Sequence, residues 1–226
     1  MSGQSRALLL IGSGKPVHSN SESLGGYLLS CLARRGFETQ TMKVPRTLRA
    51  QGGLATITEE VRQASLVILA TPLYWDSLPA AVIEAMEALA EDRRSRPPQN
   101  HQRMVAIINS GFPEARQSDT ALAICRRFAK ETGFEWAGGL AMGTGGAVEE
   151  RPLDQVGRRV RHVVRAMDLT AEALALGEKV PEAAVGLMAK PILPAWAFVL
   201  YGRWLWPRWA RRFGAQRKLR DKPYAP

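Results

Sequence analysis

Residues 66–70, LVILA, form an uninterrupted apolar run between Ser65 and Thr71. Such a run fits a β-strand covered on both faces, which points away from a sheet with one face in water. Residues 6–11, RALLLI, read as a second buried strand, and residues 104–108, MVAII, as another. Between the strands lie segments of helical period. Leu24, Tyr27, Leu28, Cys31 and Leu32 fall on one helical face. Residues 54–64, 80–90, 120–132 and 155–176 read as further helices, and residues 37–44 and 134–142 as further strands. The long helix directs Val156, Val160, Val163, Val164 and Met167 inward. Strands that alternate with helices predict an α/β fold with a doubly wound parallel sheet of five strands.

Local chemistry marks the ends of these elements. Ser21, Glu22 and Ser23 supply capping groups for the first helix, and Gly36 suits its stop. Pro79 is placed to open the helix after LVILA. Residues 91–103 are polar and contain Pro97-Pro98, so they read as an exposed connection. A chain of 226 residues suits one such domain with an appendage. Cys31 and Cys125 lack CxxC spacing and a nearby His, so they read as reduced, packed thiols, and no metal site is expected. The first ten residues, MSGQSRALLL, lack the three-part pattern of a signal peptide, which predicts a cytoplasmic protein.

In a doubly wound sheet, ligands bind beyond the carboxyl ends of the strands. The candidate loops are residues 12–21, 71–79, 109–119 and 143–149. The first, within GSGKPVHSNSES, is rich in glycine and hydroxyls and leads into a helix N-terminus. It fits neither GxxxxGK[ST] nor GxGxxG, because Lys15 comes too early and position 17 is Val. Ser13, Lys15, Ser19, Asn20 and Ser21 can together wrap a terminal phosphate, aided by the helix dipole. An ordinary capped turn remains the alternative.

The segment GSGKPVHSNSESL resembles the phosphate loop of the flavodoxin-like NAD(P)H-dependent oxidoreductases, also called NADPH-dependent FMN reductases. Gly12, Ser13, Lys15, Asn20, Ser21 and Leu24 match that family's pattern, and Gly14 stands where it usually has proline. LVILATPLYWDSLPAAVIEAMEAL, 66–89, is similar to the segment whose P-x-Y turn lies against the flavin ring. Residues 109–148 resemble the later part of a subset of these proteins, and the likeness covers about residues 6–178. It implies a flavodoxin-like sheet of order 2-1-3-4-5. It implies FMN as cofactor, NAD(P)H as co-substrate and, in many members, a homodimer. The flavin N5 then accepts a hydride and later gives two electrons to a small acceptor such as a quinone, so no catalytic side chain is needed.

The resemblance also places residues along the cofactor. Pro72, Leu73, Tyr74, Trp75, Asp76 and Ser77 lie along the ring, although Trp75 can equally be core. Asp76 near the ring would disfavour added negative charge on it. Asn109, Ser110, Gly111 and Phe112 approach the ribityl chain and ring edge. Gly143, Thr144, Gly145 and Gly146 let backbone come close, or simply form a flexible turn. His18 is a solvated loop residue or a phosphate contact, and His162 reads as a surface group of the long helix.

The formal net charge is +10, yet residues 201–226 hold eight Lys/Arg against one Asp. The body is therefore nearly balanced and the tail strongly basic, which argues against nucleic acid as a partner of the body. The division expected is a flavodoxin-like domain over 1–178 and a helical, Trp-rich extension over 179–226. Four of the six tryptophans lie at 196, 204, 206 and 209. The apolar stretch 191–202 is too short for a bilayer, which needs about 20 residues. The tail packs on the body or a second subunit, lies on a membrane surface through residues 196–212, or binds nucleic acid. Trp209, Gly214 and Lys222-Pro223-Tyr224 are similar to the chain end of some family members.

Overall fold

The computed structural model describes residues 5–98 and 100–221; Lys222-Pro223-Tyr224 lie outside the described residues. Two compact units appear, Met1–Ile192 and Leu193–Pro226. The first contains five strands: β1 (Arg6–Ile11), β2 (Glu38–Lys43), β3 (Leu66–Pro72), β4 (Arg103–Asn109) and β5 (Glu135–Met142). Every pairing is parallel and the order is β2-β1-β3-β4-β5. In register, Ala7 faces Leu66 and Ile11 faces Ala70.

Helices cover both faces. On one side lie α1 (Asn20–Ala33), α6 (Arg161–Ala175) and α7 (Glu182–Met188). There Leu9, Ile68 and Ile107 pack with Leu28, Met167 and Met188. On the other side lie α2 (Val44–Leu48), α3 (Gly53–Gln63), α4 (Ala80–Ser95) and α5 (Asp119–Glu131). There Leu8, Leu10 and Leu69 pack with Ile57, Val82, Leu89 and Cys125. Neighbouring strand residues point to opposite faces, so two apolar faces require an unbroken apolar run. This is why β1, β3 and β4 show no alternation.

Several expectations need correction. The chain parts at Ile192 and not at 178, because Ala184 and Met188 of α7 are buried in the core of the first unit. The long helix over 155–176 is broken: short 3-10 turns at Leu153–Gln155 and Arg158–Val160 precede α6. Gly157 between them has φ +93, which no helix accommodates. Val156 and Val160 are nonetheless buried, so the inward pattern is real. Helix α2 follows β2 directly, with Pro45 in its first turn.

The segment 91–103 is not wholly exposed. Helix α4 runs on to Ser95, and Arg93 and Gln102 are buried. The Arg93 guanidinium donates to the Thr132 carbonyl at 2.8 Å and to Gln102 Oε1, and lies 3.5 Å over the Phe134 ring. Gln102 Nε2 donates to the Val61 and Ala64 carbonyls, both at 2.6 Å. Burial pushes the guanidinium down to about 10, so it is still charged at neutral pH. Hydrogen bonds and the ring compensate for its burial.

The second unit holds α8 (Ala195–Arg212) and a 3-10 turn at Gln216–Lys218. Among the described residues, no helix is long and apolar enough to cross a membrane.

Replacing Arg93 by Met keeps much of the volume but strands the Thr132 carbonyl and Gln102 Oε1. Urea denaturation of Arg93→Met should show a loss of about 1–3 kcal/mol; unchanged stability would mean that the guanidinium network contributes nothing.

Candidate functional site

The carboxyl ends of the five strands share one edge, and the chain changes direction across the sheet between β1 and β3. The loop after β1 enters α1, whose N-cap is Ser19 in extended conformation. Ser19 Oγ accepts from the Glu22 N–H at 3.1 Å. The cap thus lies ahead of the expected residues 21–23, because Ser21 is committed elsewhere. Its Oγ accepts from Asn109 Nδ2 at 2.7 Å, and the same amide donates to the Thr71 carbonyl at 3.2 Å. One side chain from the end of β4 therefore ties α1 to β3.

Ser13 Oγ accepts weakly from the Lys15 N–H, at 3.4 Å. Ser13, Ser19 and Ser21 are all buried and form the floor of the loop, while residues 14–18 are exposed above them. Among the described residues, no protein acceptor meets the backbone N–H groups of Gly14, Val17, His18 or Asn20. These unpaired donors sit beside the positive end of the α1 dipole.

The loop after β5 reaches the same place. The Glu150 carboxylate pairs with the Lys15 ammonium, and the Glu150 N–H donates to Asn20 Oδ1 at 2.9 Å. Asn20 Nδ2 is left to donate. Glu149 pairs with Arg159 at 2.5 Å. Glu149 and Glu150 both have φ near that of a left-handed helix, 57 and 56. Nothing in the sequence marks Glu150, which stands 130 positions from Asn20 and belongs to no motif.

After β3, the Leu73 N–H donates to the Asn109 carbonyl at 2.9 Å. Tyr74 and Ser77 then exchange two backbone bonds, of 2.9 and 3.0 Å. Between them Trp75 and Asp76 have φ +48 and +60. That is a type I′ pattern, which normally carries Asn-Gly. A bulky side chain there is strained, and such strain gathers at functional sites. Trp75 is 99 % exposed, so it is no part of the core; Tyr74 and Phe112 are about half exposed, at 50 and 49 %.

The loops after β4 and β5 are stitched together. The Ser110 N–H donates to the Met142 carbonyl at 3.0 Å, the Gly145 N–H to Ser110 at 2.7 Å, and the Thr144 N–H to Phe112 at 2.6 Å. Gly143 is more than a flexible turn: a Cβ there would stand 2.2 Å from the Pro113 carbonyl oxygen. Thr144 also has positive φ, and its buried Oγ1 has no partner among the described residues. Space lies open where a Cβ on Gly111 or Gly146 would go.

The remaining ionisable groups suggest no nucleophile. Burial raises the Cys125 thiol to about 12 and also raises that of Cys31, so neither forms a thiolate near neutral pH. His18 is exposed, 4.0 Å from Glu22. His162 is half-buried, not on the open surface as its helical position suggested, and burial lowers its pKa.

The sequence profile of a family described as NADPH-dependent FMN reductase matches residues 5–126. No curated protein matches the chain. Among solved structures, the chain is similar to an NADH:FMN oxidoreductase in its apo form. Identity is 14%, coverage is 84% of this chain and 96% of that one, and the TM-score is 0.59. It is also similar to an FMN-dependent NADH-azoreductase from Bacillus anthracis str. Ames Ancestor, solved in complex with FMN. Identity is 12%, coverage 75% and 100%, and the TM-score 0.56. A flavodoxin from Streptococcus pneumonia TIGR4 aligns at 16% identity, with coverage of 76% and 99% and a TM-score of 0.55. At such identities these structures establish the fold alone.

Trp75→Gly removes a side chain that buries almost nothing and places glycine at positive φ. The variant should be as stable as the parent, or up to about 1 kcal/mol more stable, in a thermal or urea melt. A clear loss of stability would mean that the indole packs against the body.

Proposed function

The chain belongs to the NADPH-dependent FMN reductase family, and from that premise we propose that it moves electrons from NAD(P)H to a small acceptor such as a quinone. It is an oxidoreductase with FMN as its cofactor. The observation that carries the reading is the cluster of unpaired N–H donors at the α1 N-terminus, beside Lys15 and Asn20.

The donor set fits the phosphate end of FMN. The backbone N–H groups of Gly14, Val17, His18 and Asn20 suit a dianion, and the helix dipole adds to them. Asn20 Nδ2 and the Lys15 ammonium complete the exposed side of the cradle. Ser13, Ser19 and Ser21 hold its shape from below, through the bonds to Lys15, Glu22 and Asn109. Glu150 already pairs with Lys15, so an incoming phosphate competes with a carboxylate for that ammonium.

When bound, FMN supplies the atom that takes a hydride and the store for two electrons. The chain's own residues position it and shape the space above it. Tyr74, Trp75 and Phe112 offer flat exposed surface at the ends of β3 and β4. Pro72, Leu73, Asp76 and Ser77 complete the turn that presents Tyr74 and Trp75. Asn109, Ser110 and Gly111 form the neighbouring wall, and Gly143, Thr144 and Gly145 are held against it by the Ser110 and Phe112 carbonyls. The unpartnered Thr144 Oγ1 is a donor available to a ligand on that wall.

FMN-loaded protein mixed anaerobically with NADPH should lose its flavin absorbance, and a soluble quinone should restore it. Persistent absorbance with both NADH and NADPH would contradict the reading. Glu150→Gln frees Lys15 and should tighten FMN binding about twofold to fivefold at low salt, measured by fluorescence titration. Weaker binding would mean that Glu150 helps to build the cradle.

A further inference from the structure

Helix α8 combines two properties that a solvated helix does not need. It contains four arginines, Arg203, Arg208, Arg211 and Arg212, and no acidic residue. It also exposes Trp196, Val199, Leu200, Tyr201, Trp204, Trp206 and Trp209, each by more than half, and Phe213 follows at its C-cap. Arg217, Lys218 and Arg220 then extend the positive charge.

The two properties are partly segregated. At 100° per residue, Val199, Trp206, Trp209 and Phe213 fall within one sector about 80° wide. Arg208, Arg211 and Arg212 fall on the opposite side together with Tyr201 and Trp204, and Arg203 borders the apolar sector. Segregation also runs along the axis, since residues 195–202 carry no charge and all four arginines follow. Arg208 lies 3.5 Å over the Trp204 ring, which keeps its guanidinium beside an indole. The helix does not combine the length and the apolar character needed to cross a bilayer.

We propose that α8 is a docking surface for an anionic lipid bilayer and lies in the plane of its headgroup layer. An amphipathic helix of this kind inserts its apolar sector to shallow depth and keeps its cations among the lipid phosphates. Tryptophan, with an apolar ring and a polar N–H, is suited to that layer. Charge complementarity selects anionic over neutral lipid, because each basic residue near such a surface adds attraction. A nucleic acid would satisfy the arginines and could stack on some rings. It would leave Val199 and Leu200 in water and gain nothing from the apolar stretch that precedes the arginines. Surface docking brings the chain to acceptors dissolved in lipid, but it does not depend on the flavin reading.

The test is flotation of the full-length protein with two kinds of vesicle: phosphatidylcholine alone, and phosphatidylcholine mixed with phosphatidylglycerol. The protein should float with the mixed vesicles and stay in solution with the neutral ones. Replacing Arg208, Arg211 and Arg212 by alanine should lower partitioning on the order of a hundredfold. Trp206→Ala with Trp209→Ala should also lower it, and high salt should not restore it. Circular dichroism of each variant checks that the body stays folded. Equal recovery in solution with and without mixed vesicles would overturn the proposal. So would unchanged partitioning in both folded variants, or tight binding of an oligonucleotide by a protein that ignores the vesicles.

Discussion

Three adjacent strands buried on both faces constrain everything else in the first unit. β1, β3 and β4 carry apolar residues to both faces, so helices must cover both sides of the sheet. Polar backbone can then gather only where the strands stop. All five stop on one edge because all are parallel, and the order of the strands reverses direction at the neighbouring pair β1 and β3. Asn109 fixes that edge, with one amide bonded to Ser21 at the start of α1 and to Thr71 on β3. The unpaired N–H groups of the first loop are held in place by this bond and by the Ser19 cap.

Much of the fold was legible because burial leaves a direct trace in residue type. RALLLI, LVILA and MVAII are strands, and the apolar spacing of α1 and α6 marks their inward faces. What stayed hidden depends on partners far apart in the chain. Arg93 and Gln102 look like members of an exposed connection; they are buried because they satisfy each other and the Thr132, Val61 and Ala64 carbonyls. The break at Gly157 was obscured because Val156 and Val160 keep the inward pattern without a continuous helix.

The site shows the same division. Its four loops follow from topology, and Ser13, Lys15, Ser19, Asn20 and Ser21 do lie together. Their tasks did not follow from residue type. The serines form the floor, and the exposed donors are mainly backbone N–H groups, which any residue can supply. Glu150 was invisible because it approaches Lys15 from 135 positions further along the chain. The type I′ turn at Trp75 and Asp76 was also unreadable, since neither residue is the glycine or asparagine that signals one.

An α1 N-terminus that anchors a terminal phosphate must discriminate between a flavin that carries one and a flavin that does not. The most direct measurement is the affinity of the full-length protein for FMN against that for riboflavin, which differs only in lacking the phosphate. Several charge-assisted donors, each worth about 0.3–1 kcal/mol or more when partly buried, predict at least about tenfold tighter binding of FMN. Equal affinities for the two would contradict the account.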